Sequence, residues 1–286
     1  MGAYQPHTID PRNLLIGISS IELNGMDLGA LANAGLEVTT VIKDRYVGYP
    51  TQRMESITEA VSGIVSFVAE EIGSNSILIL LQGIFNSTNP VYDIAMYAPF
   101  AIDNSNLKLV AKAQVLPTMT INWQDEWCSL TFKFECVGTN INTLITRSIE
   151  VGIKRAATTI DKNNLSVGLP KILIDGLSVG SLQSVSLNLE GTVKRQERGY
   201  PRCTESIIYT STPYSIDIVA EEHIITGVDC NVKMQQQLVN GTAIQIEFPH
   251  CKIPEDLGVN TTTNWLGYKQ KILPFGDISP IISKVG

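Results

Sequence analysis

The stretch from Ile21 to Glu71 is written twice in this chain, and that repetition limits the fold more than any single motif. Displaced by 151 positions, it falls on Ile172 to Glu222 without a gap, and 14 of the 51 aligned pairs are identical. Ile21-Glu-Leu-Asn-Gly25 meets Ile172-Leu-Ile-Asp-Gly176, Gly48-Tyr49-Pro50 meets Gly199-Tyr200-Pro201, and Val68-Ala-Glu-Glu71 meets Val219-Ala-Glu-Glu222. An ungapped match that keeps its Gly and Pro punctuation is hard to reach by accident. Two copies of one fold in tandem are expected.

Length agrees with that reading. The 286 residues divide into a first unit over 1–150 and a second over 151–286, each of ordinary domain size and able to bury its own core. The formal net charge is −7 and no block of basic residues occurs, so a surface built to grip phosphates is not expected. Five cysteines form an odd set without a C-x-x-C pair, which reads as free thiols in a reducing compartment. Only three histidines are present and none lies at ligand spacing to a cysteine pair, so no metal or other cofactor is expected. Met1 to Gly17 is largely polar and holds Pro6 and Pro11 where a signal peptide has an apolar core, which predicts synthesis in the cytoplasm. The longest aliphatic run, Ile77 to Leu81, is too short to span a bilayer.

Along the chain, residues 1–13 read as an arm. Leu14 to Leu23 is apolar and β-branched and runs into Asn24-Gly25; Lys171 to Ile174 runs into Asp175-Gly176. Both pairs suit a type I′ hairpin turn, because Asn, Asp and Gly tolerate positive φ. Leu36 to Ile42 and Leu187 to Val193 alternate apolar with polar residues, which predicts strands covered on one face. Each continues into charge: Lys43, Asp44, Arg45 and Tyr46 in the first copy, and Lys194, Arg195, Glu197 and Arg198 in the second. These segments read either as solvated hairpin tips or as long loops reaching a neighbouring subunit. Ile57 to Ala69 and Ile207 to Ala220 return as strands, the second broken at Pro213. The copies then diverge, with Asn86 to Pro90 able to cap a short helix through Tyr97 in the first copy only. They converge again near their ends at an offset of 138 (Trp127 to Trp265, Gly138 to Gly276). Leu144 to Thr159 reads as a partly helical linker. The fold class expected is mainly β: two similar small barrels or sandwiches, each with a short flanking helix.

Catalytic chemistry is not expected. His7, His223 and His250 are scattered, and no G-x-x-x-x-G-K-[ST], G-x-G-x-x-G or H-E-x-x-H occurs. Glu70-Glu71 and Glu221-Glu222 are adjacent carboxylates, which point to opposite faces of a strand or diverge by roughly 100° on a helix. A repeated structural role fits them better than acid–base work. Trp123, Trp127 and Trp265 are not interleaved with basic residues and read as core or interface anchors.

Two stretches stand out together: Asp10-Pro-Arg-Asn-Leu-Leu-Ile-Gly17 leading to Asn24-Gly-Met-Asp-Leu-Gly29, and Ile244-Gln-Ile-Glu-Phe-Pro249 leading to Lys252-Ile-Pro254. In them the chain resembles the tail tube (major tail) proteins of long-tailed bacteriophages. The duplication departs from the family's common single-domain form, and is what a version with two tube domains per chain would need. The resemblance implies a virion protein made in the host cytoplasm. Three chains would form a pseudo-sixfold ring, and rings would stack into a tube that joins other tail proteins. Phage DNA would pass through it without sequence-specific binding, and no membrane would be involved. A tail hub or distal-tail ring protein is the nearest alternative, and a duplicated β-domain ligand-binding module the alternative of a different class. The charged loops at Lys43–Tyr46 and Lys194–Arg198 are the candidates for contacts between subunits or rings.

Overall fold

A computed structural model describes residues 15, 17–47, 52–86, 90–102, 104–123, 128–152, 155, 158–221, 227–255, 258–262, 265–276 and 279–286. The first repeat holds β1 (Ser20–Leu23), β2 (Met26–Asp27), β3 (Leu31–Val47), β4 (Gln52–Ala69), α1 (Asn75–Phe85), β5 (Val91–Pro99), β6 (Ser105–Val115), β7 (Thr118–Trp123), β8 (Cys128–Cys136), α2 (Ile141–Leu144) and β9 (Thr146–Val151). The second holds β10 (Lys171–Ile174), β11 (Leu177–Ser178), β12 (Leu182–Glu190), β13 (Thr192–Arg198), β14 (Cys203–Ser211), β15 (Tyr214–Ala220), β16 (Gly227–Gln237), β17 (Ala243–Ile253), β18 (Gly258–Thr262), β19 (Trp265–Pro274) and β20 (Ile281–Val285). The protein is mainly β, and its strand pairs are antiparallel.

The duplication in the sequence is a duplication of register. Asn24 and Asp175 both have φ of 49°, and each side chain accepts a 2.8 Å hydrogen bond, from Asp93 N and Asn231 N respectively. Leu31 pairs with Ala69 and Leu182 with Ala220; Val65 pairs with Phe134 and Ile216 with Ile272. The irregularities repeat too. Register shifts fall at Val41/Ile42 and Arg45/Tyr46 in the first copy, and at Thr192/Val193 and Gln196/Glu197 in the second. A bulge is set by local backbone demands, so its recurrence means the same local sequence logic acts twice.

Each repeat is a two-layer β unit. One layer runs β3–β4–β8–β7 and its counterpart β12–β15–β19–β18. The other runs β2–β1–β5–β6–β9 and β11–β10–β16–β17–β20. β6 also pairs with β8, and β17 with β19, so the layers join along one side. Alternation puts Val61, Val65, Phe67, Leu130, Phe132 and Phe134 between the layers, where Phe67 stacks on Phe134 with centroids 5.6 Å apart.

The helix of the first repeat lies earlier than the sequence predicts. It spans Asn75–Phe85, capped by Ser74 Oγ accepting from Ile77 N, and buries Ile77, Leu80, Leu81, Ile84 and Phe85. That 3-and-4 spacing makes one apolar stripe. Residues 91–97, expected to be the helix that Asn86–Pro90 caps, lie in β5 instead, because Tyr92, Ile94, Met96 and Ala98 alternate inward; 87–89 lie outside the described residues. Among its described residues the linker is likewise less helical than expected: α2 is a single turn that ends at Leu144, and β9 follows. α1 fills space between the two repeats, with Phe85 edge-on to Tyr214 at 5.7 Å. The second repeat has no helix of comparable length among its described residues.

Candidate assembly surface

The two repeats join edge to edge. β7 of the first pairs antiparallel with β12 of the second, setting Trp123 against Val185, Ile121 against Leu187 and Met119 against Leu189. All six side chains are buried. The seam fuses the two quartets into one eight-stranded sheet, β3–β4–β8–β7–β12–β15–β19–β18. Among the described residues its outer strands, β3 and β18, pair on one side only. These edge strands are the counterparts of the two that meet at the seam. Equivalent positions show the effect of cover: Leu189 is 1% exposed, while Val38, its counterpart 151 residues earlier, is 51% exposed.

A second contact accompanies the seam. The β13–β14 arm leaves its own repeat and lies across the first. Gly191 marks the bend, because a Cβ there would come within 2.5 Å of the Pro117 ring, and its N–H donates to Pro117 O at 2.6 Å. Its counterpart Thr40 sits inside the unbroken strand β3. Farther out, Arg202 N donates to Glu59 O, Val61 N to Arg202 O and Gly138 N to Thr204 O, all at 2.8–2.9 Å. Tyr209 Oη donates to Val115 O at 2.7 Å, and Gln114 Oε1 accepts from Ile207 N at 2.6 Å.

The predicted charged segments divide between these roles. Arg195 Nε donates to both carboxylate oxygens of Glu135 at 2.8 and 2.9 Å, and Thr204 Oγ1 adds a bond of 2.7 Å. Glu135 is 2% exposed, so its charge is held by a cation and a hydroxyl from the other repeat. Glu197 accepts from Arg202 and Arg198 donates to Glu205, both on the exposed side of the arm, and Lys194 is exposed. In the β3–β4 arm Lys43 is exposed and Asp44 accepts from Ser56 Oγ. Arg45 pairs with Glu55 and Tyr46 with Arg53 through their backbones. Gly48, Tyr49 and Pro50 lie outside the described residues; their counterparts Gly199, Tyr200 and Pro201 form the tip of the docked arm.

Glu135, Gln114 and Tyr209 escape sequence reading. Glu135 follows Leu130, Phe132 and Phe134 on the opposite phase of β8, where alternation assigns solvent; only the arm from the other repeat covers it. Of the paired carboxylates, Glu71 is buried and accepts from Ala30 N at 3.2 Å and Asp161 N at 3.0 Å, an anchoring arrangement. His250 contacts Asp229 at 2.8 Å; His7, His223, Trp127 and Glu222 lie outside the described residues. The spacing Gly176-Leu-Ser-Val-Gly180 matches the G-x-S-x-G of hydrolases. Ser178 sits in the two-residue strand β11, with no helix after it, so the strand–turn–helix context of that motif is missing.

All five cysteines are free and buried. Burial pushes the Cys136 and Cys251 thiols up to about 12, and raises Cys128 further still. Among the described residues no group of three or more His, Cys, Asp or Glu converges as metal ligands, and no helix is long and apolar enough to cross a membrane. A cleft of about 400 Å³ opens where the second repeat meets the end of α1, lined by Phe85 from that helix and by Ser211, Thr212, Phe248, His250, Phe275 and Gly276 among others. A scan of protein-family models and a search of curated proteins find no match to this chain.

Proposed function

We propose that this chain is a structural subunit of a phage tail tube, with three chains closing a pseudo-sixfold ring and rings stacking into a channel for DNA. One observation carries the reading. The chain already contains one repeat-to-repeat joint, β7 on β12, and its two ends present the matching halves, β18 and β3. Repeating that joint between chains, at the offsets of 138 and 151, sets Ala34 against Thr261 and Leu36 against Val259. A joint between unlike surfaces propagates until it closes, and closure removes open strand edges. Three chains supply 3 × 8 = 24 strands; at about 4.8 Å per strand and the usual tilt near 40°, the barrel is about 50 Å across its backbone. That leaves room for a double helix inside a wall of side chains.

The sheet face turned away from the core suits such a wall. It carries Ser66, Thr120, Asn122, Thr131, Ser186 and Asn188, with Glu37, Glu190 and Asp217 offset by Lys133, Lys269 and Lys271. The wall is therefore neutral and hydroxyl-rich, where net charge alone points to an acidic one. Neutral hydroxyls offer DNA no ladder of cations to bind. Electron microscopy of the purified protein, with its mass from light scattering, tests the reading. Six-lobed rings or tubes built from multiples of three chains are expected. A monomer at every concentration that saturably binds a small ligand would point instead to a ligand-binding module.

A further inference from the structure

We propose that the cleft on the second repeat is the seat of the β3–β4 arm from a second copy of this chain; the proposal rests on the ring reading and specifies its second contact. The two arms match down to both bulges. Their surroundings differ. The β13–β14 arm lies on the first repeat, where Val61 N and Gly138 N take its Arg202 and Thr204 carbonyls. Among the described residues, no backbone hydrogen bond joins β3, or β4 ahead of Glu59, to the second repeat.

Carrying the receiving positions to the second repeat identifies the seat. Val61 maps to Thr212 at offset 151, and Gly138 maps to Gly276 at offset 138. Both line the 400 Å³ cleft, as do Ser211, Pro274 and Phe275, the counterparts of Ala60, Cys136 and Val137. In the first repeat the docked arm leaves Val137 6% exposed; Phe275 is 47% exposed. The cleft therefore coincides with the site that the arm fills on the first repeat. Gln52 and Arg53 at the start of β4 stand in sequence where Cys203 and Thr204 stand in the docked arm. Because β7–β12 pairing and arm docking occur together within the chain, one movement of a second copy satisfies both: β3 on β18, and arm in cleft.

Cross-linking between chains tests this. Thr204 Oγ1 lies 2.7 Å from Glu135 Oε1, and the corresponding intermolecular pair is Arg53 with Leu273. Full-length Arg53→Cys and Leu273→Cys chains, mixed and treated with a short bismaleimide, should yield a two-chain product that neither variant gives alone. Thr212→Trp, which fills the cleft, should lower the assembled fraction at least tenfold while leaving the melting temperature of the single chain within a few degrees. Assemblies that form normally without the cross-link, and with Thr212→Trp unaffected, overturn the arm–cleft contact but leave the ring reading standing. Wild-type chains that never assemble overturn both.

Discussion

At the scale of single residues, Glu135 shows what the docked arm demands. Its carboxylate is buried against a half-exposed guanidinium, so removing the cation leaves a charge with little water to solvate it. Arg195→Glu is expected to cost ~2–3 kcal/mol of stability, whereas Lys194→Glu, one position away and exposed, should change it by less than ~0.5 kcal/mol; urea unfolding of the two variants separates them. The hairpin turns offer a gentler check. Asn24 and Asp175 have the same φ and the same bond to a strand N–H. Asn24→Asp should therefore be nearly neutral, while Asn24→Ala loses both the tolerated left-handed backbone and the acceptor, at about 1–2 kcal/mol. Thermal melts of the two variants read that difference.

At the scale of elements, the same position answers differently in the two repeats. Leu189 in β12 is sealed by β7, while Val38 in β3 lies on the open edge. Leu189→Asp would bury an unpaired carboxylate and should destabilise the folded chain by ~3 kcal/mol or more. Val38→Asp should leave a single chain's unfolding midpoint within ~0.5 kcal/mol of wild type and act instead on assembly, seen as a lower mass by light scattering. Equal destabilisation by both would mean that β3 is not an open edge in solution. Gly191 belongs to this scale too. A Cβ there meets Pro117, so Gly191→Ala should loosen the arm and expose the chain at 192–211 to proteolysis ahead of the rest.

For the whole molecule, most of the buried hydrophobic side chains among the described residues form one cluster running from Ile21 through the seam to Ile282. Shared burial couples the repeats, so calorimetry should record a single unfolding transition. The second repeat expressed alone as residues 158–286, with Leu187, Leu189, Cys203 and Ile207 uncovered, should be insoluble or unfolded. The thiols add a pH signature. Cys136 and Cys251 are raised from 9.0 to about 12 in the fold, so the folded state favours the neutral form. Their contribution is complete below about pH 9, the unfolded value, and is lost as pH climbs towards 12. Denaturant midpoints should fall over that window, and the native chain should resist maleimide at neutral pH.

The duplication, the Asn-Gly and Asp-Gly turns, the strand phases and the break at Pro213 are all legible in the order of the residues. Each follows from local backbone preference or from a period of two, both written within a few residues. The Asn86–Pro90 signal points to a helix reaching Tyr97, whereas the helix forms over Asn75–Phe85, where an apolar stripe can be buried. The order of the residues marks the arms as charged but does not say where they go. Which strand edge is covered, why Glu135 is buried, and why Phe275 and Val38 remain exposed depend on how the two repeats pack together. Two nearly identical repeats carry the same local instructions, and they differ because one has a neighbour within the chain on the side where the other has none.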